Sequence, residues 1–388
     1  MKYWQLPQAV EEVLPKQASA MEALRRDLLD LYKRWGYELV FPPLIEYSES
    51  LLTGLGADLD LLTFKITDQL TGRTLGIRAD ITPQVARIDA HSYLKQGVSR
   101  LCYAGTTLHT HPKSLMASRC PVQVGAELYG DSSEQADIEI IRLLIETLRT
   151  SGVGALTLDI GHVGVYQAIF AAAGIDREDA DVFDALQRKS APDLAVALRD
   201  KSEQTQQWLT ALMNLHGGLD TLERARQAFG SSVPGVSGAI DQIETVIAAL
   251  SSAGHDIDWY VDLAELRGLN YHTGLVFAAY AKGAGQALAN GGRYDSVGEI
   301  YGRARAATGF AVDLKTLLAQ GNYRAGAPGA ISVPALIDTQ LETLVTDLRA
   351  DGHIVIRALL NEHDERCDRE IVLIDDVWTI RPIGKTTV

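Results

Sequence analysis

Six short segments of the chain stand out, and five of them carry polar residues suited to chemistry. Together they combine carboxylates, arginines, amides and hydroxyls with glycines. A pocket for a free amino acid needs a carboxylate for the ammonium group, a cation for the carboxylate and an oriented polar pair for the side chain. These segments supply each group, and they are residues 77–82 (IRADIT), 103–105 (YAG), 123–127 (QVGAE), 266–271 (LRGLNY), 291–295 (GGRYD) and 309–311 (GFA).

The charged residues of these segments also have ordinary structural explanations. Arg267 could form an ion pair with Asp262 or Glu265 instead of binding a ligand. Gln123 and Glu127 lie four residues apart on a predicted strand, so their side chains face the same side. A solvated sheet face is the usual explanation for such a pair.

The aromatic and histidine side chains leave similar alternatives. Tyr103 and Tyr271 could be core aromatics whose hydroxyls lie at the rim of the core. The spacing of His109 and His111, with His91 upstream, could indicate a metal site. Without nearby cysteine or acidic ligands, however, such a pair is more often a surface feature or has ordinary hydrogen-bond partners.

Composition limits the class of protein. The chain has 388 residues, of which 46% are hydrophobic, so it can form two or more lobes with substantial cores. Three cysteines without C-x-x-C spacing argue against a disulfide framework or a structural zinc site. Neither a signal peptide nor a membrane-spanning run is recognisable, and a reduced, cytoplasmic location is expected.

The net charge bears on nucleic-acid binding. The formal charge is −14, and no dense cluster of lysine and arginine is present in the sequence. Proteins that hold a large RNA need local positive charge to displace phosphate counterions. The composition therefore argues moderately against tRNA binding.

The first half of the chain predicts helices that flank a largely antiparallel sheet. Apolar residues at helical spacing between Pro15 and Gly36 predict a helix over residues 16–35. Residues 37–46 predict a strand broken by two prolines, and strands and one helix are expected between residues 64 and 108. Residues 132–135 (SSEQ) predict a capping box that opens the next helix.

The second half changes character twice. Residues 163–254 are rich in Ala, Leu, Gln and Asp and predict a helical insertion between two parts of the sheet. Strands resume at residue 259 and end in a helix near residue 318. After a Gly- and Pro-bearing linker, residues 321–388 predict a small α/β domain, which leaves residues 1–320 as the core domain.

In order and spacing, the six segments resemble those of the histidyl-tRNA-synthetase-like family, over about residues 5–320. The resemblance is strongest to the non-synthetase branch of that family, the regulatory subunits of ATP phosphoribosyltransferase. It implies an α+β, class II aminoacyl-tRNA synthetase-like fold, with an antiparallel sheet flanked by helices. In that family, the first helix and the proline-ended strand build a dimer interface.

The resemblance also implies a role for each pocket residue. A carboxylate, a hydroxyl and an amide would hold the α-ammonium group of free histidine, and an arginine would hold its carboxylate. The ring would lie against a glutamate, two tyrosines and a histidine, with two glycines allowing close backbone approach. The implied set is Asp80, Thr82, Gln123, Arg267, Glu127, Tyr103, Tyr271, His272, Gly291 and Gly292.

The sequence departs from the synthetase pattern at positions that matter for ATP. Class II synthetases place an arginine in the second motif and another in the third, where negative charge develops on ATP. Here those positions hold His109 and Thr316, and neither replaces an always-charged guanidinium group. Arg78 and Arg119 remain, so residual nucleotide affinity stays open. Adenylation is nevertheless expected to be lost.

Two further departures accompany this loss. Asn270 and His272 stand where the synthetase pattern has Asp and Tyr. In addition, the unit after the linker is acidic and much shorter than the anticodon-binding domain of such synthetases. Nucleic-acid binding is therefore not expected.

The expected function is a non-catalytic regulatory subunit with no cofactor and with histidine as effector. Its partners would be the short-form catalytic subunit of ATP phosphoribosyltransferase, a second copy of itself and free histidine, with no nucleic acid and no membrane. It would activate the catalytic subunit and carry feedback inhibition in the first step of histidine biosynthesis. Two alternatives stay open, namely an active histidyl-tRNA synthetase with an altered ATP site and a structural pseudo-synthetase that does not sense histidine.

Overall fold

A computed structural model describes residues 4–52, 57–114, 117–176, 179–252, 254, 257–265, 271–283, 285–324, 326, 329–359 and 364–383. The chain divides into two compact units, residues 1–324 and residues 325–388. The sequence-based boundary after residue 320 lies close to this division.

The larger unit alternates helices and strands along its length. Its elements are α1 (Pro15–Arg34), β1 (Glu38–Leu39), β2 (Ile45–Tyr47), α2 (Ser48–Leu52), α3 (Ala57–Leu62), β3 (Phe64–Thr67), β4 (Thr74–Ile77), α4 (Thr82–Arg87), a π-helical segment (Ile88–Tyr93), β5 (Ser99–Thr106), β6 (Val122–Tyr129), α5 (Glu134–Thr150), β7 (Leu156–His162), α6 (Val163–Ala173), α7 (Ala180–Gln187), α8 (Ala191–Ala197), α9 (Glu203–Met213), β8 (His216–Gly217), α10 (Asp220–Phe229), α11 (Val236–Ser252), β9 (Ile257–Asp262), β10 (Leu275–Ala281), β11 (Ala289–Arg293), a 3-10 turn (Glu299–Tyr301), β12 (Ala307–Asp313) and α12 (Leu314–Gln320).

One large sheet organises this unit. Its strand order is β1-β5-β6-β12-β11-β10-β7-β9-β8. The pairs from β5 through β7 are antiparallel, whereas β1 pairs with β5 and β9 pairs with β7 in parallel. The predicted antiparallel sheet with flanking helices is therefore present.

The two faces of β6 point to different surroundings. Val124, Ala126 and Leu128 belong to the main hydrophobic core, together with buried side chains of α1 and α5. Because side chains alternate along a strand, Gln123 and Glu127 point to the opposite face. The pocket residues on β6 therefore lie on the face away from α1 and α5.

Helix α1 forms as its sequence predicts. Pro15 occupies its first turn, where a missing N–H costs nothing, and the buried residues Leu24, Leu28 and Leu31 repeat at helical spacing. Gly36 follows the helix with φ +82°, a left-handed conformation that glycine adopts readily. The predicted range of residues 16–35 is correct to within one residue at each end.

Residues 37–46 are interrupted at two prolines, as predicted, but the two parts do not form one strand. Pro42 and Pro43 separate two short strands that belong to different sheets. Strand β1 pairs with β5 of the large sheet, whereas β2 joins β4 and β3 in a second, antiparallel sheet of three strands. Proline has no N–H to donate to a neighbouring strand, so neither strand continues through the pair.

The prediction of a capping box at residues 132–135 is wrong, although the helix that it should open is present. Helix α5 begins at Glu134, but the side chain of its N-cap, Ser133, makes no capping hydrogen bond. Instead, Arg293 from β11 holds this end of the helix. Its Nη2 donates to the Ser133 carbonyl at 3.0 Å, and its Nη1 donates to the Asp131 carbonyl at 3.1 Å.

Arg293 also forms a buried ion pair with α5. Its Nη2 and Nε lie 2.9 and 3.1 Å from one carboxylate oxygen of Asp137. Both side chains are less than a tenth exposed. The pair ties the GGRYD segment on β11 to the helix that covers the other face of the sheet.

Residues 163–254 are mostly helical, as predicted, and contain α6 to α11. The segment also contributes β8, whose His216 and Gly217 pair antiparallel with Asp262 and Val261 of β9. Lys189, between α7 and α8, bonds to the Asp262 carboxylate at 2.9 Å. The insertion is therefore bonded to the edge of the large sheet.

The smaller unit is an α/β layer. It contains β13 (Ala330–Pro334), α13 (Thr339–Ala350), β14 (Val355–Ala358), β15 (Cys367–Ile374) and β16 (Val377–Pro382). The strand order is β14-β13-β15-β16, with the last pair antiparallel. Leu341 and Val345 of α13 pack with Ile331, Val333 and Ile371 of the sheet. In neither unit does a described helix have the length and apolar character to cross a membrane.

The ion pair between Arg293 and Asp137 yields a stability prediction. Arg293→Met should lower the free energy of unfolding by about 3–5 kcal/mol, because it leaves a buried carboxylate without its cation. Urea denaturation measures the change. Arg26→Met is the matched control, since Arg26 pairs with Glu22 at the surface and should change stability by less than about 1 kcal/mol. Equal effects of the two substitutions would contradict the assigned role of Arg293.

Candidate functional site

Three adjacent strands build one side of the candidate site. Tyr103 of β5 lies opposite Gly125 of β6, and Glu127 of β6 lies opposite Gly309 of β12. A Cβ atom on Gly125 would clash with the Tyr103 hydroxyl, and one on Gly309 would clash with the Glu127 carboxyl. The two glycines therefore make the space in which Tyr103 and Glu127 lie side by side.

The Glu127 carboxyl is fully buried and bound by phenols. The Tyr103 hydroxyl donates to its Oε1 at 3.1 Å, and the Tyr294 hydroxyl donates to its Oε2. The Thr82 hydroxyl lies 3.0 Å from that of Tyr103 and extends the network. The interpretation of Gln123 and Glu127 as a solvated face is therefore wrong for Glu127.

Burial governs the charge of Glu127. Loss of hydration raises the pKa of its carboxyl to about 8, against the lowering effect of hydrogen bonds from Tyr294, Thr82 and Tyr103. Near pH 7 the carboxyl is therefore mostly protonated. In that form it can both donate and accept a hydrogen bond.

Asp80 and Gln123 form a second polar group at the edge of this network. Gln123 Nε2 donates to Asp80 Oδ1 at 2.9 Å, and Gln123 Oε1 accepts from the Ile81 N–H at 2.9 Å. The Thr82 N–H also donates to Asp80 Oδ1, at 2.9 Å. Among the described residues, no donor reaches Asp80 Oδ2. This half-buried carboxylate therefore has an oxygen available for a cation.

Tyr271 adds an unpaired polar group. Its ring stacks on that of Tyr294, with centroids 4.9 Å apart, and meets the His272 ring edge-on at 5.2 Å. The Tyr271 hydroxyl is buried, and no described residue forms a hydrogen bond with it. Leaving a buried hydroxyl unpaired costs about 1–3 kcal/mol, a cost that a bound polar molecule would remove.

His272 is held by the backbone. Its Nδ1 lies 3.3 Å from the Arg293 carbonyl oxygen, and burial lowers the pKa of the ring to about 4. The imidazole is therefore neutral at pH 7. It contributes shape and one hydrogen bond to the site, and no positive charge.

Gly291 and Gly292 serve the packing of the protein itself. A Cβ atom on Gly291 would clash with the Phe277 ring and the Gly309 carbonyl oxygen. One on Gly292 would press on the His272 ring and the Leu275 carbonyl oxygen. The two glycines therefore allow neighbouring strands and side chains of the chain to approach each other closely.

Arg267, the predicted carboxylate-binding residue, lies outside the described residues. One of the two carboxylates considered as its structural partner is that of Asp262. The two Asp262 oxygens lie 3.0 and 2.9 Å from Lys189 Nζ, and the Ala264 N–H also donates to one of them. The role of Arg267 stays a prediction.

Tyr294 is a site residue that the sequence analysis did not assign. It is buried, binds Glu127, stacks on Tyr271 and brings its hydroxyl within 3.2 Å of that of Tyr129. The only signal in the sequence was its place in the GGRYD segment, of which only the two glycines were assigned a role. Gly125 and Gly309 also lay in the quoted segments without an assigned role.

The chain matches two families of known proteins. Residues 9–317 match the family described as histidyl-tRNA synthetase, and residues 328–381 match the one described as the ATP phosphoribosyltransferase subunit HisZ C-terminal domain. The ATP phosphoribosyltransferase regulatory subunit of Thioalkalivibrio sulfidiphilus is 49% identical, over 97% of this chain and 98% of its own length. The chain belongs to this regulatory-subunit family. The regulatory subunit of Ectopseudomonas mendocina is 48% identical over 98% of both chains.

Solved structures support the fold. An ATP phosphoribosyltransferase regulatory subunit/histidyl-tRNA synthetase from Bacillus halodurans superposes with a TM-score of 0.82 at 26% identity, covering 94% of this chain and 95% of that one. Histidyl-tRNA synthetase from Nostoc gives 0.76 at 18% identity, over 96% and 92% of the two chains, and shares the fold. The predicted class II synthetase-like fold is confirmed.

The family resemblance implies that residues 109 and 316 stand where synthetases place arginines for ATP, and both residues make contacts within the chain. His109 is buried, its Nε2 lies 2.9 Å from the Ala79 carbonyl oxygen, and burial lowers the pKa of the ring. The Thr316 hydroxyl donates to Asp313 Oδ2 at 2.9 Å, within the first turn of α12. Neither group offers a positive charge to a phosphate.

The two arginines noted in the sequence, Arg78 and Arg119, bind main-chain carbonyls. Arg78 is buried and donates to the carbonyls of Thr106 and Pro42 at 2.9 and 2.8 Å. Arg119 donates to the His109 carbonyl at 2.9 Å. Both guanidinium groups are thus committed to the fold.

A metal is not supported at the predicted histidines. In the described part of the chain, no three metal-ligating side chains come together. The His109 ring, moreover, is directed at a backbone carbonyl. Among the described residues, the fold therefore brings no metal-ligand cluster together at His91, His109 and His111.

The buried carboxyl of Glu127 predicts a pH-dependent stability. The folded chain keeps this proton up to about pH 8, whereas an unfolded glutamate releases it near 4.5. Stability from this group is therefore complete below pH 4.5 and is lost as pH rises to 8, by about 1.4 kcal/mol per pH unit. Glu127→Gln should remove this slope, so its stability relative to the natural chain should rise between pH 5 and pH 8.

Urea denaturation at several pH values measures this slope. Glu12→Gln, which changes an exposed carboxyl, serves as the control and should keep the slope of the natural chain. Parallel curves for the Glu127 variant and the natural chain would show that Glu127 titrates normally.

Proposed function

We propose that this chain is the histidine-sensing regulatory subunit of an ATP phosphoribosyltransferase. The single observation that carries the sensing role is the buried network around Glu127, with an unpaired Tyr271 hydroxyl and an available Asp80 oxygen beside it. Buried polar groups are normally paired, so these groups are best explained by a polar ligand that completes them.

The α-ammonium group of histidine fits the Asp80 side of the site. Asp80 is held by Gln123 and by the Thr82 N–H, so its carboxylate is oriented before a ligand arrives. Its Oδ2 would accept from the ammonium group, with the Thr82 hydroxyl nearby. We assign the ligand's carboxylate to Arg267, as the family resemblance implies.

The imidazole fits the Glu127 side. A neutral imidazole has one N–H donor and one acceptor nitrogen, and the protonated Glu127 carboxyl can meet either of them. The hydroxyls of Tyr103, Tyr294 and Tyr271 are available to rearrange around the ring. Because His272 is neutral, it does not repel an imidazolium form of the ligand.

Regulation requires a catalytic partner. We infer that the partner is a short-form catalytic subunit of ATP phosphoribosyltransferase, which this chain activates in the cytoplasm as part of a hetero-oligomer. Two copies of this chain would pair with each other through the first helix and the proline-ended strands. Histidine inhibits only if it binds two assembly states with different affinity, since equal binding shifts no equilibrium.

In this proposal, the catalytic subunit carries out phosphoribosyl transfer, and this chain uses no cofactor. The neutral side chains of His109 and Thr316 support this assignment, because amino-acid activation needs fixed cations at the ATP phosphates. The acidic net charge of −14 supports the absence of a nucleic-acid partner.

Calorimetric titration tests the pocket directly. Histidine should bind the purified chain or its complex, and Asp80→Asn should weaken binding by about tenfold to a hundredfold, because a charge-assisted hydrogen bond is lost. Asp258→Asn, at an exposed carboxylate on β9, is the matched control and should bind normally. The sensing role would be excluded if neither the chain nor the complex bound histidine.

Enzyme assays distinguish the proposal from its two alternatives. Phosphoribosyl transfer by the catalytic subunit should rise when this chain is added and fall when histidine follows. Histidine-dependent pyrophosphate exchange should stay at background. Robust pyrophosphate exchange would indicate an active synthetase. If the complex with an intact pocket were activated but histidine did not inhibit it, the chain would be a scaffold.

A further inference from the structure

A second buried polar cluster adjoins the tyrosines of the candidate site. The Arg305 guanidinium and the Asp89 carboxylate form an ion pair there, with Arg305 Nη1 at 2.8 and 2.9 Å from the two carboxylate oxygens. Both side chains are less than a tenth exposed. The pair joins the π-helical segment that follows α4 to the residues that precede β12.

This ion pair and the phenols of the site share a small cavity. It has room for about one water molecule, and its lining includes Tyr129 and Tyr294 together with Asp89, Arg303 and Arg305. Nη1 of Arg303 is buried, and no described residue forms a hydrogen bond with it. A polar cavity beside an unpaired donor is the kind of place in which proteins hold an ordered water.

The hydrogen bonds between the phenols have a direction. Tyr294 gives its single hydroxyl proton to Glu127, so the Tyr129 hydroxyl must be the donor in the 3.2 Å contact between the two phenols. A guanidinium group can only donate. A water between Arg303 and Tyr129 therefore accepts from Arg303, donates one proton to the Tyr129 oxygen and has its second proton left for Asp89.

We propose that one ordered water in this cavity completes a one-way series of hydrogen bonds, the donor relay, from Arg303 through Tyr129 and Tyr294 to Glu127. Arg303 and Tyr129 are then positioning residues, because they act on Glu127 through Tyr294 and do not touch the ligand. Donors that point at a carboxyl stabilise its negative charge, so the donor relay favours the ionised form of Glu127. The consequence for histidine sensing rests on the proposed function.

Other titratable groups also act on Glu127. Burial and the negative charge of Asp80 raise the pKa of Glu127, whereas hydrogen bonds from its neighbours lower it. Four phenols surround it, and burial followed by the charge of Glu127 raises the pKa of each. They are Tyr103, Tyr129, Tyr271 and Tyr294. The charges of Asp89 and Arg305 have further, opposite effects on the pKa of Tyr129, which places both groups close to this phenol.

Carbon-13 NMR of the Glu127 carboxyl in the full chain, without histidine, tests this inference. The carboxyl resonance is identified as the one that Glu127→Gln removes, and its titration midpoint is then measured. Tyr129→Phe and Arg303→Met should each raise the midpoint by about half a unit to one unit, because each interrupts the donor relay. Two controls should not shift it, namely Tyr32→Phe, which removes a buried hydroxyl on α1, and Arg26→Met, which removes a surface charge.

The double substitution Tyr129→Phe/Arg303→Met distinguishes a relay from two independent effects. In a relay the second interruption adds nothing, so the double variant should match the larger of the two single shifts. The inference is overturned if either single substitution fails to raise the midpoint, or if the two shifts add. Because the titration needs no histidine, its failure leaves the sensing role intact, and a protein that did not bind histidine could still show these shifts.

Discussion

The Glu127 carboxyl has no access to water, and much of the site geometry follows from that constraint. A buried carboxyl must find hydrogen-bond donors in the protein, and Tyr103 and Tyr294 provide them. Tyr103 fits because Gly125 leaves space on the neighbouring strand, and Gly309 leaves space for the Glu127 carboxyl itself. The sheet, the tyrosines and the glycines therefore form one arrangement, in which a change at any member disturbs the others.

The part of the fold that carries His109 and Thr316 offers few free positive charges. Where a synthetase needs free cations, this chain has the neutral side chains of His109 and Thr316, and Arg78 donates to backbone carbonyls. A guanidinium group held by carbonyls has less hydrogen-bonding capacity left for phosphate. Polar groups without partners thus lie around Glu127, whereas the Arg78 guanidinium is bonded within the chain.

How far the sequence predicts the structure depends on how local each cause is. Helix α1 was predictable, because proline, periodic apolar residues and glycine act within one segment. The end of α5 was not, because Arg293 holds it from a strand more than 150 residues away, in place of the expected serine cap. The burial of Glu127 and the role of Tyr294 likewise arise from strand pairing. Of the predicted pocket residues, the fold brings Asp80, Thr82, Tyr103, Gln123 and Glu127 together, whereas Arg267 lies outside the described residues.

The helical insertion closes one edge of the large sheet, and this has a consequence for shortened versions of the chain. Strand β8 covers the outer side of β9, and Lys189 neutralises the mostly buried Asp262. Removing residues 163–254 would expose an open strand edge with unsatisfied amides and carbonyls, a template on which further chains can stack. A core domain shortened in this way would be prone to aggregation. The insertion therefore protects the edge of the large sheet from pairing with other chains, in addition to any role in assembly.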